Sequence, residues 1–242
     1  MGIHKINGVG SAKRRLINLF GAFKKTKVLT WSATIIVLST LGLLIFLSPG
    51  VRVRKSDSVK DDRSVPSLVM KGGNPYIRAL MRTISTSEAK DSNPYTLIYG
   101  GKHISDLSRH PNQCITIVSG PHEGECSTAA GRYQMLTSTW LEKVQKYHSK
   151  NSKSLTGNSY RFSPQFQDEV VYAWLNDHHA WGADIATLLK QGKVEQVLKL
   201  LSGTWTSLGY GTENNSITPL LPQVYQKVLA EELAQANSSS PD

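Results

Sequence analysis

Apolar residues recur at three- and four-residue spacing along much of the second half of the chain. The clearest run lies within 74–89, where Ile77, Leu80, Met81 and Ile84 form one stripe, the spacing of a helix with one buried face. Glu88 stands four residues beyond Ile84 and continues that stripe. Ser163 followed by Pro164 marks another helix start, an N-cap with proline in the first turn, ahead of the face Phe166, Val170, Val171, Trp174 and Leu175. Thr137 or Ser138 caps a helix bearing Trp140, Leu141 and Val144. The same period predicts helices over 185–189, 194–205 and 220–234. Between the first two helices the pattern changes: 95–104 and 115–133 read as a small β region, with a strand from Ile115 to Val118 and a turn at Gly120, Pro121 and Gly124. The expected fold class is α+β, mainly α, with the β region flanking a cleft.

One apolar run has no helical stripe, because it is apolar all round. Residues 28–51 carry no charged side chain, and 28–48 are dominated by Val, Leu, Ile, Phe and Trp, about the 20 residues that cross a bilayer core. A cleaved signal peptide is the rival reading. Its apolar region is shorter, about 7–15 residues, and ends in a small-x-small site, which Leu47-Ser-Pro-Gly50 does not supply. The expected organisation is a basic cytoplasmic tail (1–27), a transmembrane anchor (28–48), a flexible linker (49–73), a catalytic domain (74–235) and a disordered tail (236–242).

Charge placement supports that division. The chain has 242 residues and a formal net charge of +10. Residues 1–27 hold seven Lys/Arg and no acid, 50–73 hold six basic and three acidic residues, and 74–242 hold fifteen of each. A formally neutral domain lacks the basic face that nucleic acid requires, so nucleic acid is not an expected partner, while membrane lipid is one through 28–48. Basic residues flank the span on both sides, a weak vote for a cytoplasmic N-terminus. The only two cysteines, Cys114 and Cys126, flank the predicted strand and turn. A disulfide there fits an inner-membrane protein whose domain faces the periplasm or cell exterior; two buried thiols are the alternative. Their spacing is not that of a metal site, and no cofactor is called for.

A carboxylate at the rim of an apolar face, near the negative end of a helix, is disfavoured in its ionised form. Such an environment suits a proton donor to a leaving oxygen. Taken alone, Glu88 reads first as a solvated residue at a fraying helix end, because perturbed carboxylates are the minority case.

The surrounding stretches narrow the choice. Ser85-Thr-Ser-Glu-Ala-Lys90, Tyr95-Thr-Leu-Ile-Tyr-Gly-Gly101, Ile104-Ser-Asp-Leu-Ser-Arg-His-Pro111, Ala130-Gly-Arg-Tyr-Gln-Met-Leu136 and Ser163-Pro-Gln-Phe-Gln-Asp168 occur in this order. The set resembles the phage lambda endolysin family over most of 74–235. That resemblance implies a lysozyme-like fold and a peptidoglycan lytic transglycosylase with Glu88 as its catalytic acid/base, cleaving the MurNAc-GlcNAc β-1,4 bond to 1,6-anhydro ends. It also implies glycan strands as partner. Tyr133 and Gln134 resemble the family's cleft-lining pair, the glutamine able to donate to an acetamido carbonyl and the tyrosine to stack; for Tyr133 alone, ordinary core packing is an equal reading. Tyr210, between two glycines in a slightly shortened match to a Trp-x-Ser-Leu segment, is expected to touch substrate, and Asp106 to border the sugar site. Ala89 replaces the family's glycine after the glutamate, and the cysteine pair departs from the lambda protein. A two-carboxylate hydrolase needs a second acid, and none of Asp106, Glu123, Glu125 or Asp168 pairs convincingly with Glu88; Asp168, behind an N-cap, reads as structural. The alternatives are a hydrolytic muramidase on the same fold and a noncatalytic glycan-binding scaffold.

Overall fold

The computed structural model describes residues 65–147, 160–211 and 215–238. Among these, the helices are α1 (Pro75–Glu88), α2 (Thr137–Tyr147), α3 (Pro164–Asn176), α4 (His178–Trp181), α5 (Ile185–Lys190), α6 (Val194–Leu201) and α7 (Leu221–Ser238). The strands β1 (Ile115–Thr116) and β2 (Cys126–Ser127) lie between α1 and α2. The fold is mainly helical with a small sheet, as its pattern predicts.

Helix α1 is the central element. Asn74 caps it by accepting the Tyr76 N–H at 2.9 Å, Pro75 occupies the first turn, and Ala89 ends it with its N–H on the Ser85 carbonyl. Ile77, Leu80, Met81 and Ile84 are fully buried. The opposite face is buried as well, although Arg78 and Arg82 lie on it. Their partners come from α7: Arg78 Nε meets Glu232 at 2.5 Å, Arg82 Nη1 meets Glu232 at 3.1 Å, and Arg82 Nη2 meets Glu231 at 2.5 Å. Removing one member of such a buried set leaves an uncompensated charge, a loss of roughly 3–5 kcal/mol.

The sheet is smaller than its sequence suggests. β1 and β2 pair antiparallel with Ile115 opposite Ser127 and Thr116 opposite Cys126, and the remaining contacts are isolated bridges, Leu97 to His103, Ile98 to Ala130 and Ala130 to Met135. A 3-10 turn at Pro94–Thr96 and left-handed glycines at 100 and 101 interrupt 95–104. Val118, expected in the strand, is 79% exposed.

Three other expectations are corrected. The helix expected over 194–205 ends at Leu201, where the Ser202 hydroxyl bonds the Lys199 carbonyl and Gly203 follows. Helix α7 continues to Ser238, so 236–238 are helical, not tail. Most consequential, the segment 65–73 is no tether. Leu68 and Met70 are buried in the core. Asp168 accepts the N–H groups of Val69 (2.7 Å) and Met70 (3.1 Å). Arg132 donates to the carbonyls of Pro66 and Ser67, Arg82 to Val65, and Arg78 to Met70 and Gly72. Polar partners for this irregular segment thus come from side chains of the domain.

No helix among the described residues is long and apolar enough to cross a membrane. The expected anchor 28–48, with 1–27 and 49–64, lies outside the described residues.

Candidate active site

Glu88 is the last residue of α1 and is half-buried. The helix directs it into a cleft of about 730 Å³ that is also lined by Ser87, Tyr99, Gln134, Trp205 and Ser207. The hairpin loop after β1 adds Ile117 and 119–122 to the lining. Ser207 donates its hydroxyl to Glu88 Oε1 at 2.5 Å. Ser207 sits on a 3-10 turn, Thr206–Leu208, and its carbonyl is held by Asn215 Nδ2 at 2.6 Å. Ser207 is not among the residues expected at the site, although it is the serine of the Trp-x-Ser-Leu stretch.

The turn Ala130-Gly-Arg-Tyr-Gln134 divides its residues between core and cleft. Gly131 has φ 75°, and a Cβ there would run into Gln167 Oε1, so only glycine allows the approach. Gln167 in turn accepts the Arg132 N–H and donates to the carbonyls of Tyr95 and Phe162. Tyr133, expected at substrate, is 1% exposed, and its hydroxyl donates to Asp168 Oδ1 at 2.6 Å. Asp168 Oδ2 also takes the Tyr95 hydroxyl at 2.8 Å. This carboxylate therefore collects four donors in the core, the structural role its position behind an N-cap suggests. Burial, then the Asp168 charge, pushes the phenol pKa values of Tyr95 and Tyr133 well up.

Gln134 does line the cleft, on a left-handed backbone of φ 44°. Its amide nitrogen donates to the carbonyls of Gly131 (2.9 Å) and Leu97 (3.3 Å). An amide has two N–H donors, and both are engaged. With both donors engaged, Gln134 keeps its amide oxygen for a further partner, whereas the expectation had its amide donating.

Tyr210 and Asp106 are not brought to the cleft. Tyr210 is 42% exposed at φ 65° and feels the charge of Glu195, which adds to partial burial in raising its pKa. Asp106 closes a turn on Ser108, and those hydrogen bonds lower its pKa. His110 of the His-Pro stretch is buried behind the cleft floor, edge-on to Phe162 with ring centres 4.7 Å apart. Its Nε2 lies 2.9 Å from the Met135 carbonyl and its Nδ1 receives the Asn112 N–H, which fixes a neutral ring protonated on Nε2. Burial lowers its pKa, against the carbonyl bond, which raises it.

Cys114 and Cys126 form the expected disulfide, with Cα atoms 5.3 Å apart across the base of the β1–β2 hairpin. Among the described residues no group of His, Cys, Asp and Glu could hold a metal ion.

The family model described as Endolysin matches residues 78–231. The chain belongs to the endolysin family. An endolysin of Escherichia phage lambda is 27% identical over 148 residues, 57% of this chain and 82% of the relative. A structure of bacteriophage lambda lysozyme complexed with a chitohexasaccharide is 25% identical, with a TM-score of 0.50 over 66% of this chain and 97% of that one. A further lambda lysozyme structure has 22% identity and a TM-score of 0.45. This endolysin-family chain is thus a peptidoglycan-cleaving glycosidase of lambda-lysozyme-like fold. The matched span contains both Glu88 and Ser207, whereas the docked segment 65–73 precedes it.

Proposed function

We propose that this endolysin-family enzyme is a lytic transglycosylase. It cleaves the MurNAc-GlcNAc β-1,4 bond of peptidoglycan with Glu88 as sole acid/base and leaves 1,6-anhydro-MurNAc ends. One observation carries the reading: among the described residues lining the cleft, Glu88 is the only carboxylate. A hydrolase of the two-carboxylate type needs a second one about 5–9.5 Å away as nucleophile or base. Glu123 and Glu125 stand exposed on the hairpin outside the cleft lining, and Asp168 is spent in the core.

In this scheme protonated Glu88 gives its proton to the glycosidic oxygen as the C1–O bond breaks. The carboxylate so formed removes the proton from the C6 hydroxyl, whose oxygen closes onto C1. The same group thereby regains the proton it lost, and no water enters. Ser207 fixes one carboxyl oxygen and thereby the direction of the other, the positioning that an in-place proton transfer requires. Gln134 Oε1 accepts from an acetamido N–H. The lambda lysozyme bound to a chitohexasaccharide supports a β-1,4-linked N-acetyl sugar chain as occupant of the corresponding cleft.

Mass spectrometry of muropeptides released from purified sacculi tests the reaction. The expected products are one water lighter than reducing-end muropeptides; ordinary reducing ends would assign the enzyme to the hydrolytic muramidases.

We further propose that 28–48 anchor the enzyme in the inner membrane, with the catalytic domain in the periplasm or cell exterior. The uncharged run and the disulfide, a bond that persists outside the reducing cytoplasm, support this placement.

A further inference from the structure

The hairpin 115–127 is attached to the domain in an unusual way. It supplies a stretch of the cleft wall through Ile117 and 119–122, yet little of it is packed. Ile115 touches the core and Ser127 is buried, while 118–126 are all exposed. Among the described residues, the hydrogen bonds of 117–125 stay inside the hairpin: Ile117 N–H to Glu125 O, Gly124 N–H to Ile117 O, Glu123 N–H to Gly120 O and Glu125 N–H to His122 O. The 3.2 Å contact of His122 with Glu125 is internal too. Paired ladder residues number two on each strand. The added constraint is Cys114–Cys126, which joins the entry of the hairpin to its return strand. Both cysteines are exposed and so open to exchange with an external thiol.

The geometry points to a redox-dependent cleft wall, in which the Cys114–Cys126 disulfide presets the hairpin for glycan binding and its reduction weakens that binding while the helical domain stays folded. The inference rests on the cleft being the glycan site. A dithiol reductant carries out the change. The Cys114–Cys126 bond and the two S–H bonds of the reductant break, two protein thiols form, and the reductant closes to its own disulfide, having supplied two electrons and two protons. Without the bridge, the loop residues that meet the sugar chain must be ordered at the moment of binding. Ordering three or four side chains lowers affinity by about tenfold or more. The chain would thus bind its polymer weakly in a reducing compartment and tightly in an oxidising one.

The test uses the full-length chain and chitohexasaccharide as soluble probe, read by the fluorescence of Trp174 and Trp205, which line the cleft. Dithiol treatment acts on this disulfide alone, because the chain has two cysteines. The expected result is a Kd about tenfold higher after reduction, with the helical circular dichroism unchanged at the assay temperature. Cys114→Ser/Cys126→Ser should match the reduced protein and ignore the reductant. Equal affinity of oxidised and reduced chains would overturn the inference. So would loss of the helical signal on reduction, since the bridge would then hold the whole domain and not its cleft wall. If the oxidised chain binds the probe but leaves sacculi uncut, the cleavage reading fails and the affinity ratio still decides this one. No affinity in the oxidised chain overturns both.

Discussion

At the scale of single residues, the proposed chemistry rests on Glu88 and Ser207, two bonded side chains 119 positions apart. Glu88→Gln retains shape and hydrogen-bonding reach but cannot give and retake a proton, so turnover on sacculi should drop about 10²–10⁴-fold with the melting temperature preserved. Ser207→Ala leaves the acid present without its hydroxyl donor at Oε1. Its kcat should fall by about one order of magnitude or more with KM little changed, because misplacement of a reacting group acts on the chemical step. His110 makes a separate, pH-dependent prediction. Its folded-state pKa lies below its unfolded value, so protons bind the unfolded chain more readily. Stability is complete above the unfolded pKa of about 6.5 and declines as pH falls below it. Urea midpoints between pH 7.5 and 5 should therefore drop in the wild type, and the slope should flatten in His110→Gln. Glu88 was legible in sequence because helical period and motif order agree on it. The role of Tyr133 was not, since a motif position does not say whether a side chain faces cleft or core. Only its bond to Asp168, 35 residues onward, decides that.

At the scale of elements, helix beginnings were readable and helix surroundings were not. Ser163-Pro164 announces α3, with Pro164 in the first turn although the Ser163 side chain makes no cap bond, and the stripe of α1 is buried as expected. The second buried face of α1 was invisible, because Arg78 and Arg82 read as solvent-facing until Glu231 and Glu232 of α7 are brought beside them some 150 residues on. The docked segment 65–73 escaped for the same reason. Its few apolar residues show no period, and what holds it are Arg78, Arg82, Arg132 and Asp168, two of them about 65–100 positions distant. Deleting 65–73 should strand those buried charges. A chain beginning at residue 74 is expected to be less stable than one beginning at 61 by roughly 3–5 kcal/mol, measurable as a lower denaturant midpoint. Equal midpoints would mean that water replaces the segment at little cost.

At the scale of the whole molecule, the division into a basic, apolar N-terminal quarter and a neutral domain rests on the uncharged apolar run 28–51 and on the placement of charge around it. A periplasm-active reporter fused after Asp242 should be active in cells, and activity solely from a cytoplasm-active reporter would reverse the proposed orientation. If 28–48 lie in the bilayer as proposed, the docking of 65–73 also limits how far from the membrane the enzyme can cut. The chain that joins span and domain is sixteen residues, 49–64, rather than the twenty-five of 49–73. At no more than about 3.5 Å per extended residue, the tether spans at most roughly 55 Å instead of nearly 90 Å. Only glycan lying in the shell next to the bilayer, within that length plus the breadth of the domain, is then within the enzyme's working radius.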